Sequence, residues 1–462
     1  MKLSNAASLV FIVLSASCGR EFLEVKSDVS IGTPSSISDY QALLDNSTAK
    51  MNIESASSLN IIGADEYFLE SDAWHSLPTT NNSLQYKNAY TWMDDFYSGE
   101  SGNDWNKAYS RILYANLVLE GIARVVPAAN ERGAWNNVKG SALFFRALNF
   151  YQLAQLFCQP YEAATADLAL GIPLRLEPDV NLKSTRATVQ QTYGQILSDL
   201  NESAGLLPDY PQVKMRPSKA AAYGLMARVC LSMQDYQQAG LFAREALDLH
   251  GDLMDYNELD PALPYPFPAD YGETNVEVVF MNMTLNYPMF GDARMHVADD
   301  LLALYEPSDL RRSLFYATGT VDNIFFRGSF IGAGAFFAGI ATPELFLISA
   351  EAHAREGSDE EALADLNRLR EHRFAQGRFN PYRTADAETA LDLVLEERRR
   401  ELAFRGLRWE DLRRLNQTPS HAKTIERWID GQRYTLEPNS VKYVWPIPDD
   451  VIALSGMEQN PR

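Results

Sequence analysis

Cysteine is scarce in this 462-residue chain, with only Cys18, Cys158 and Cys230, and no C-x-x-C pair occurs, which excludes a zinc ribbon or a thioredoxin-like motif. Histidine is equally sparse. His75, His250, His296, His353, His372 and His421 form no H-E-x-x-H or other short metal-ligating spacing, so neither a metal site nor a cofactor is expected. The G-x-S-x-G, Walker A and G-x-G-x-x-G-plus-acid patterns are missing, which removes the common nucleophile and nucleotide signatures. No stretch reaches eighteen consecutive apolar residues, so no transmembrane helix is expected. Positive charge is in deficit, with 41 Lys and Arg against 61 Asp and Glu and a formal charge of −20. Such a surface repels phosphate backbones and argues against nucleic acid as a partner.

What is present suits a globular protein. Hydrophobic residues are 46% and charged residues 22%, and the length on its own suggests about three domains. Aromatics reach 11%, a supply that can feed a core, a stacking surface or both.

The N-terminus reads as a removable segment. Lys2 is followed by an apolar run from Ala6 to Leu14, then Ser15-Ala16-Ser17-Cys18, the order of a secretory signal peptide. A cysteine directly after small residues resembles the lipobox of bacterial lipoproteins, in which the cysteine is lipidated and becomes the new N-terminus. Residues 1–17 are therefore expected to be cleaved, Cys18 to carry lipid and residues 18–30 to form a tether. Cys158 and Cys230 lie in apolar helical runs and read as buried thiols.

A helix is expected over residues 38–44, and from Asp104 onward helical spacing dominates. Trp105, Tyr109, Ile112, Asn116 and Leu119 mark one helix, and Leu143, Ala147, Phe150, Tyr151 and Phe157 mark another. Thr188 can cap a helix that runs to Leu206, and Ser218 one that runs to Met233. A shift of 123 residues lays Ala227 on Ala350 and Ala239 on Ala362, each within a helix, turn, helix unit with small residues at the contact. This looks like the tetratricopeptide arrangement, although any antiparallel helical hairpin shares the spacing. Between the two units, residues 251–340 form an irregular stretch rich in proline and aromatics, including Tyr271 and Tyr287. A segment of that length without regular structure is usually functional.

Toward the C-terminus, residues 396–414 alternate Glu and Arg densely. The plain reading is a solvated charged helix with pairs three and four apart, stopped by Gly406. Arginine beside each glutamate keeps carboxylates ionised, which suits structural pairing better than proton transfer.

This run resembles the E-R-R-x-E-L-x-F-E-G-x-R-x-x-D-L-R block of SusD/RagB outer-membrane nutrient-binding lipoproteins, with Arg399, Glu401, Gly406, Arg408, Trp409 and Asp411 in place. Arg405 departs from the usual Glu, and Leu407 from a common His. Other blocks follow in the family's order: Trp105 to Asn116, Ala142 to Phe157 with Arg146-Ala147, Gly171 to Pro173, Asp199-Leu200, Thr342-Pro343-Glu344, Pro446-Ile447-Pro448 and Gln459-Asn460-Pro461. The resemblance spans nearly the whole mature chain, which is short for the family and so implies trimmed loops. It implies a mainly α fold of tetratricopeptide-like helix pairs forming a scaffold, with a loop-rich, aromatic-containing region that carries short helices and few short strands. Residues 31–462 would be one such domain. It also implies a lipid-anchored protein at the outer membrane, facing outward, that acts as a hinged lid on a SusC-like TonB-dependent transporter. Its ligand would be an oligosaccharide or, in some members, a peptide, with no covalent chemistry.

Sugar binding needs a flat aromatic face with polar neighbours. Residues 64–97, a region the family also uses for ligand, hold Asp65, Tyr67, Trp74, His75, Asn81 and Tyr86. Trp74 is the leading candidate, either as a ligand platform or as a loop anchor packed on the scaffold. Tyr271, Tyr287 and Arg294 are further candidates in the long loop region. Trp92 reads as core, and Trp105, Trp409, Trp428 and Trp445 as structural. The alternatives are a lipid-anchored glycoside hydrolase using a pair such as Asp65-Glu66 or Asp94-Asp95, and a cytosolic helical-repeat adaptor.

Overall fold

A computed structural model describes residues 34–80, 83–383 and 386–462. The leader, Cys18, the tether and Asn81 lie outside the described residues. The described residues open with α1 (Ile37–Leu44) and three short helices, α2 (Leu59–Ile62), α3 (Ser71–His75) and α4 (Leu84–Tyr90). Five long helices follow: α5 (Asn103–Ile122), α6 (Arg132–Phe157), α7 (Val189–Leu206), α8 (Lys219–Ser232) and α9 (Tyr236–Leu249). Two short ones, α10 (Asp299–Leu302) and α11 (Arg311–Leu314), lie in the irregular stretch. The C-terminal part holds α12 (Thr342–Glu356), α13 (Asp359–Glu371), α14 (Ala387–Glu401), α15 (Leu407–Leu415) and α16 (Asp449–Ser455).

Each long helix from α5 to α9 packs on the next in sequence, α9 packs on α12, and α12 packs on α13 and α14. The scaffold is thus continuous across the irregular stretch, which leaves it after α9 and returns at α12. The caps form where hydroxyls were available. Thr188 accepts from the Gln191 amide while the Gln191 side chain accepts from the Thr188 amide, and Ser218 accepts from the Ala221 amide. The 123-residue repeat corresponds to the hairpins α8–α9 and α12–α13, whose Ala227, Ala239, Ala350 and Ala362 are all buried where the helices meet. Arg146 on α6 grips Asp199 on α7 through two bonds of 2.7 Å and Asn116 on α5 through one of 3.0 Å, so three separate sequence blocks become one joint. Cys158 and Cys230 are free, buried thiols. Among the described residues, no helix is long and apolar enough to cross a membrane.

Strands are short and antiparallel. β1 (Tyr67–Phe68) pairs with β3 (His296–Val297), and β2 (Val278–Phe280) with β6 (Ile340–Ala341). β4 (Tyr316–Thr318) pairs with β5 (Ile324–Phe326), and β7 (Ile425–Ile429) with β8 (Gln432–Leu436). The β2–β6 clasp closes the base of the irregular stretch, and Gly339 is required there because a Cβ would lie 1.9 Å from the Phe280 carbonyl oxygen. The aromatics of the stretch mostly turn inward: Phe326 stacks on Phe404 at 4.5 Å and Phe330 on Phe337 at 5.0 Å. They form a second core layer, which is why this region is ordered without long secondary structure.

Two expectations change. The charged block is not a solvated helix: Glu397, Arg398, Arg400, Glu401, Arg405, Asp411, Arg413 and Arg414 are all buried. Nor does Gly406 stop that helix. α14 ends at Glu401, and Gly406 (φ 77°) is the left-handed residue through which the chain enters α15. The sharp turn places α15 beside α14 and matches their charges. Arg398 bonds Asp411 at 2.8 Å, and Arg414 reaches both Asp411 and, on α12, Glu351.

Partners from outside the block complete the pairing. Arg311 on α11 bonds Asp309 at 2.7 Å, Glu401 at 2.7 Å and also Glu397. Arg373, just beyond α13, bonds Glu401 at 2.9 Å and Glu277 at 2.6 Å. Burial pushes the Glu397 carboxyl upward, but Arg311, Arg400 and Arg370 outweigh it and hold it down at about 2. Removing its charge leaves Arg311 and Arg400 undercompensated, so Glu397→Gln should lower the urea-unfolding free energy by about 3–5 kcal/mol. Because the folded pKa is depressed from 4.5, this stabilisation is present above pH 4.5 and lost as pH falls toward 2. The variant's stability should therefore fall less steeply across that acid window than the wild type's.

Candidate functional site

The β7–β8 hairpin follows from its sequence. Ile425-Glu426-Arg427-Trp428-Ile429 alternates and runs into Asp430-Gly431, an Asp-Gly turn. Ile425, Arg427 and Ile429 face inward, while Glu426 and Trp428 face out. Arg427 pins the hairpin: its guanidinium lies 4.0 Å from the Tyr90 ring centre and 4.5 Å from that of Trp92, and it donates to the carbonyls of Ile62 and Ala64 at 2.6 and 2.7 Å. Trp428 is left 57% exposed, which corrects its assignment as a structural residue.

Between this hairpin and β1 runs a groove of about 500 Å³. Phe68 and Glu70 line one side, Glu426 and Trp428 the other, and Asp299 and Asp300 at the start of α10 close one end. Asp65 and Lys423 also line it. Asp65 is fully committed: Arg408 grips it at 2.7 and 3.0 Å, Lys423 at 2.6 Å and Arg399 at 3.5 Å. Burial raises its carboxyl, yet these cations win and hold it well below the usual carboxylate range. Lys423 and Arg399 also reach Asp300, at 2.8 and 2.9 Å, which couples the signature block to the groove's end.

The sequence candidates divide. Asp65 and Tyr67 line the groove, but both are buried, so they shape it without offering a free face. Trp74 is half-buried against the core. Its indole N–H donates to the Lys87 carbonyl at 3.3 Å, and the Lys87 ammonium lies 4.4 Å from the ring centre. That geometry favours the anchor role. His75 is exposed and meets Asp430 of the hairpin turn at 2.7 Å, and Arg294 donates to Ser76 at 3.2 Å, so both stand beside the hairpin. Tyr86 is buried and packs on the partly buried Tyr287, ring centres 3.7 Å apart, which leaves Tyr86 no free face for a ligand. Tyr271, although half-exposed, does not line the groove. Trp428 and the acids at 70, 299 and 300 went unrecognised. The period-two pattern before Asp430-Gly431 carried the signal for Trp428, whereas nothing local marked the acids.

The Asp65-Glu66 pair does not share a cleft. Glu66 turns into the interior and accepts the Phe404 amide at 2.7 Å, while its second oxygen meets no donor among the described residues. Burial, helped by the nearby Asp65 charge, raises its pKa to about 8. The folded state therefore keeps this proton well above the ordinary 4.5, and the associated stability is full below pH 4.5 and lost as pH rises toward 8. Urea midpoints of the wild type should accordingly show a loss from about pH 5 to about pH 8 that Glu66→Gln lacks.

Comparison with known proteins places the chain. Residues 21–231 match a SusD-like family model described as "Starch-binding associating with outer membrane", and residues 342–462 match the SusD family model. "SusD-like protein P2" of Formosa agariphila is 27% identical over 395 residues, covering 73% of this chain and 75% of that protein. A SusD superfamily protein from Bacteroides thetaiotaomicron has the same fold, with a TM-score of 0.73 at 21% identity, covering 92% of this chain and 100% of the other. A SusD-like carbohydrate binding protein from Bacteroides vulgatus is similar at TM-score 0.66 and 19% identity, covering 91% and 97%. The signature block, the helix-pair scaffold and both family matches agree that this chain belongs to the SusD/RagB family.

Proposed function

We propose that this protein captures an oligosaccharide at the outer face of the outer membrane and hands it to a SusC-like TonB-dependent transporter, for which it acts as a lid. The observation that carries the reading is the exposed indole of Trp428 beside a groove edged by carboxylates and a lysine. Sugar C–H faces stack on such a ring, and Glu70 and Asp299 line the same groove, where hydroxyls can donate to their carboxylates. The description of the matching family model and the carbohydrate-binding name of the B. vulgatus neighbour point the same way. The role is binding and handover, with no bond broken. Residues 1–17 are removed, lipid on Cys18 anchors the chain through the tether 18–30, and residues 31–462 work as one domain.

Calorimetry of the mature protein against neutral oligosaccharides and peptides identifies the ligand class. Trp428→Ala should weaken oligosaccharide binding roughly tenfold with an unchanged melting temperature, since the ring supports little of the core. Unchanged affinity in that variant would place the sugar elsewhere, and release of reducing ends would favour the glycosidase. Fatty-acid labelling should mark the wild type and not Cys18→Ala. A large β-barrel should accompany the protein from mildly solubilised outer membrane.

A further inference from the structure

The groove beside Trp428 carries charges of both signs, but its cations are all engaged within the protein. Two cations line it, Lys423 and Arg427. Lys423 holds two carboxylates at once, Asp65 at 2.6 Å and Asp300 at 2.8 Å. Arg427 is buried, turned toward Tyr90 and Trp92, and donates to the carbonyls of Tyr90, Ile62 and Ala64. Behind this wall, Arg408 is committed to Asp65 at 2.7 Å, and Arg399 to Asp300 at 2.9 Å. Arg433, opposite Trp428 across the hairpin, lies outside the lining and bonds Glu426.

The carboxylates differ. Glu70 and Asp299 line the groove, are exposed and meet no cation among the described residues. Asp300 is the acid that keeps Lys423 occupied from the groove side. Burial raises its carboxyl, but Lys423 and Arg399 outweigh that and hold it below the ordinary carboxylate value. A carboxylate or sulfate on an entering sugar would therefore have to draw Lys423 away from two ionised partners. Failing that, it would lie near Glu70 and Asp299 with no counter-charge. A sugar hydroxyl meets neither obstacle, since it can donate to the same two acids. The net charge of −20 repels anions as well, but salt screens it beyond about 8 Å, so close discrimination falls to the groove's own groups.

Taking this groove as the sugar site, we infer that it selects by charge: it takes uncharged oligosaccharides and rejects glycans whose units carry carboxylate or sulfate. Glu70 and Asp299 are the repelling groups, and Asp300 is the residue that denies an anionic sugar the Lys423 ammonium.

Calorimetry on the mature protein with matched pairs tests this, using maltohexaose, cellohexaose and laminarihexaose, each beside its C6-oxidised, uronate-bearing form. Where a neutral member binds, it should do so at least about tenfold more tightly than its oxidised partner in dilute buffer, and the gap should narrow as salt rises. Asp300→Asn removes one partner each from Lys423 and Arg399 at an exposed position, and should strengthen binding of the oxidised form severalfold. Trp428→Ala should weaken the neutral member, which ties the measurement to this groove. An oxidised member that binds as tightly as its neutral partner, or more tightly, overturns the inference. So does a gap that neither salt nor Asp300→Asn moves, because the discrimination would then not be electrostatic. In both cases Trp428-dependent binding of the neutral member leaves the sugar-binding role standing. If no member of any pair binds, or Trp428→Ala changes nothing, the sugar site itself is lost and the inference falls with it.

Discussion

Glu401 is held between two arginines from distant parts of the chain, Arg311 in the irregular stretch and Arg373 beyond α13, and all three side chains are fully buried. Taking such ions out of water costs several kcal/mol each, and the cost is recovered only when every charge meets its partner in good geometry. The arrangement is therefore intolerant of displacement. α14 cannot shift relative to α11 or α13 without stranding a charge, so the pairing sets the register in which scaffold and loop region dock.

The same lattice reaches the groove. From Glu401 and Glu397 it extends along α14 to Arg399, which with Arg408 fixes Asp65, and through Lys423 and Asp300 to the start of α10. β1 continues directly from Asp65 and Glu66, and Glu66 accepts the Phe404 amide in the turn between α14 and α15. One wall of the groove is thus tied to the signature block. The other wall, β7–β8, is pinned independently by Arg427 among Tyr90, Trp92 and backbone carbonyls. Both walls are preset, which lowers the ordering cost for whatever ligand enters the groove.

The scaffold was legible because its signals are local. Apolar spacing at 3.6 residues, hydroxyl caps at Thr188 and Ser218 and the alanine repeat all act within a turn or two of helix. The pairing tendency of the Glu/Arg block was legible too, but its burial was not. Pairs three and four apart look the same on a solvated helix, and the partners that make burial affordable, Glu277, Asp309 and Arg311, lie dozens of residues upstream. Gly406 was misread for a related reason: one glycine serves equally to end a helix or to enter one, and only the position of Glu401 at the end of α14 separates the two. At the site, Tyr67 and Tyr86 sit in weakly patterned segments that sequence treats as surface, yet they fill the core beneath, with Tyr287 packed against it. Trp428 stood among fold-defining residues, and its outward face followed only from strand alternation.

The central claim is that the buried charge lattice couples the loop region to the scaffold. Native-state amide exchange of Glu401→Gln, compared with the wild type, tests it most directly. The account predicts a joint loss of protection in α14 and in the segments around Arg311 and Arg373, while the α5–α6 pair stays protected. Faster exchange confined to α14, with the Arg311 and Arg373 segments as protected as before, would contradict it.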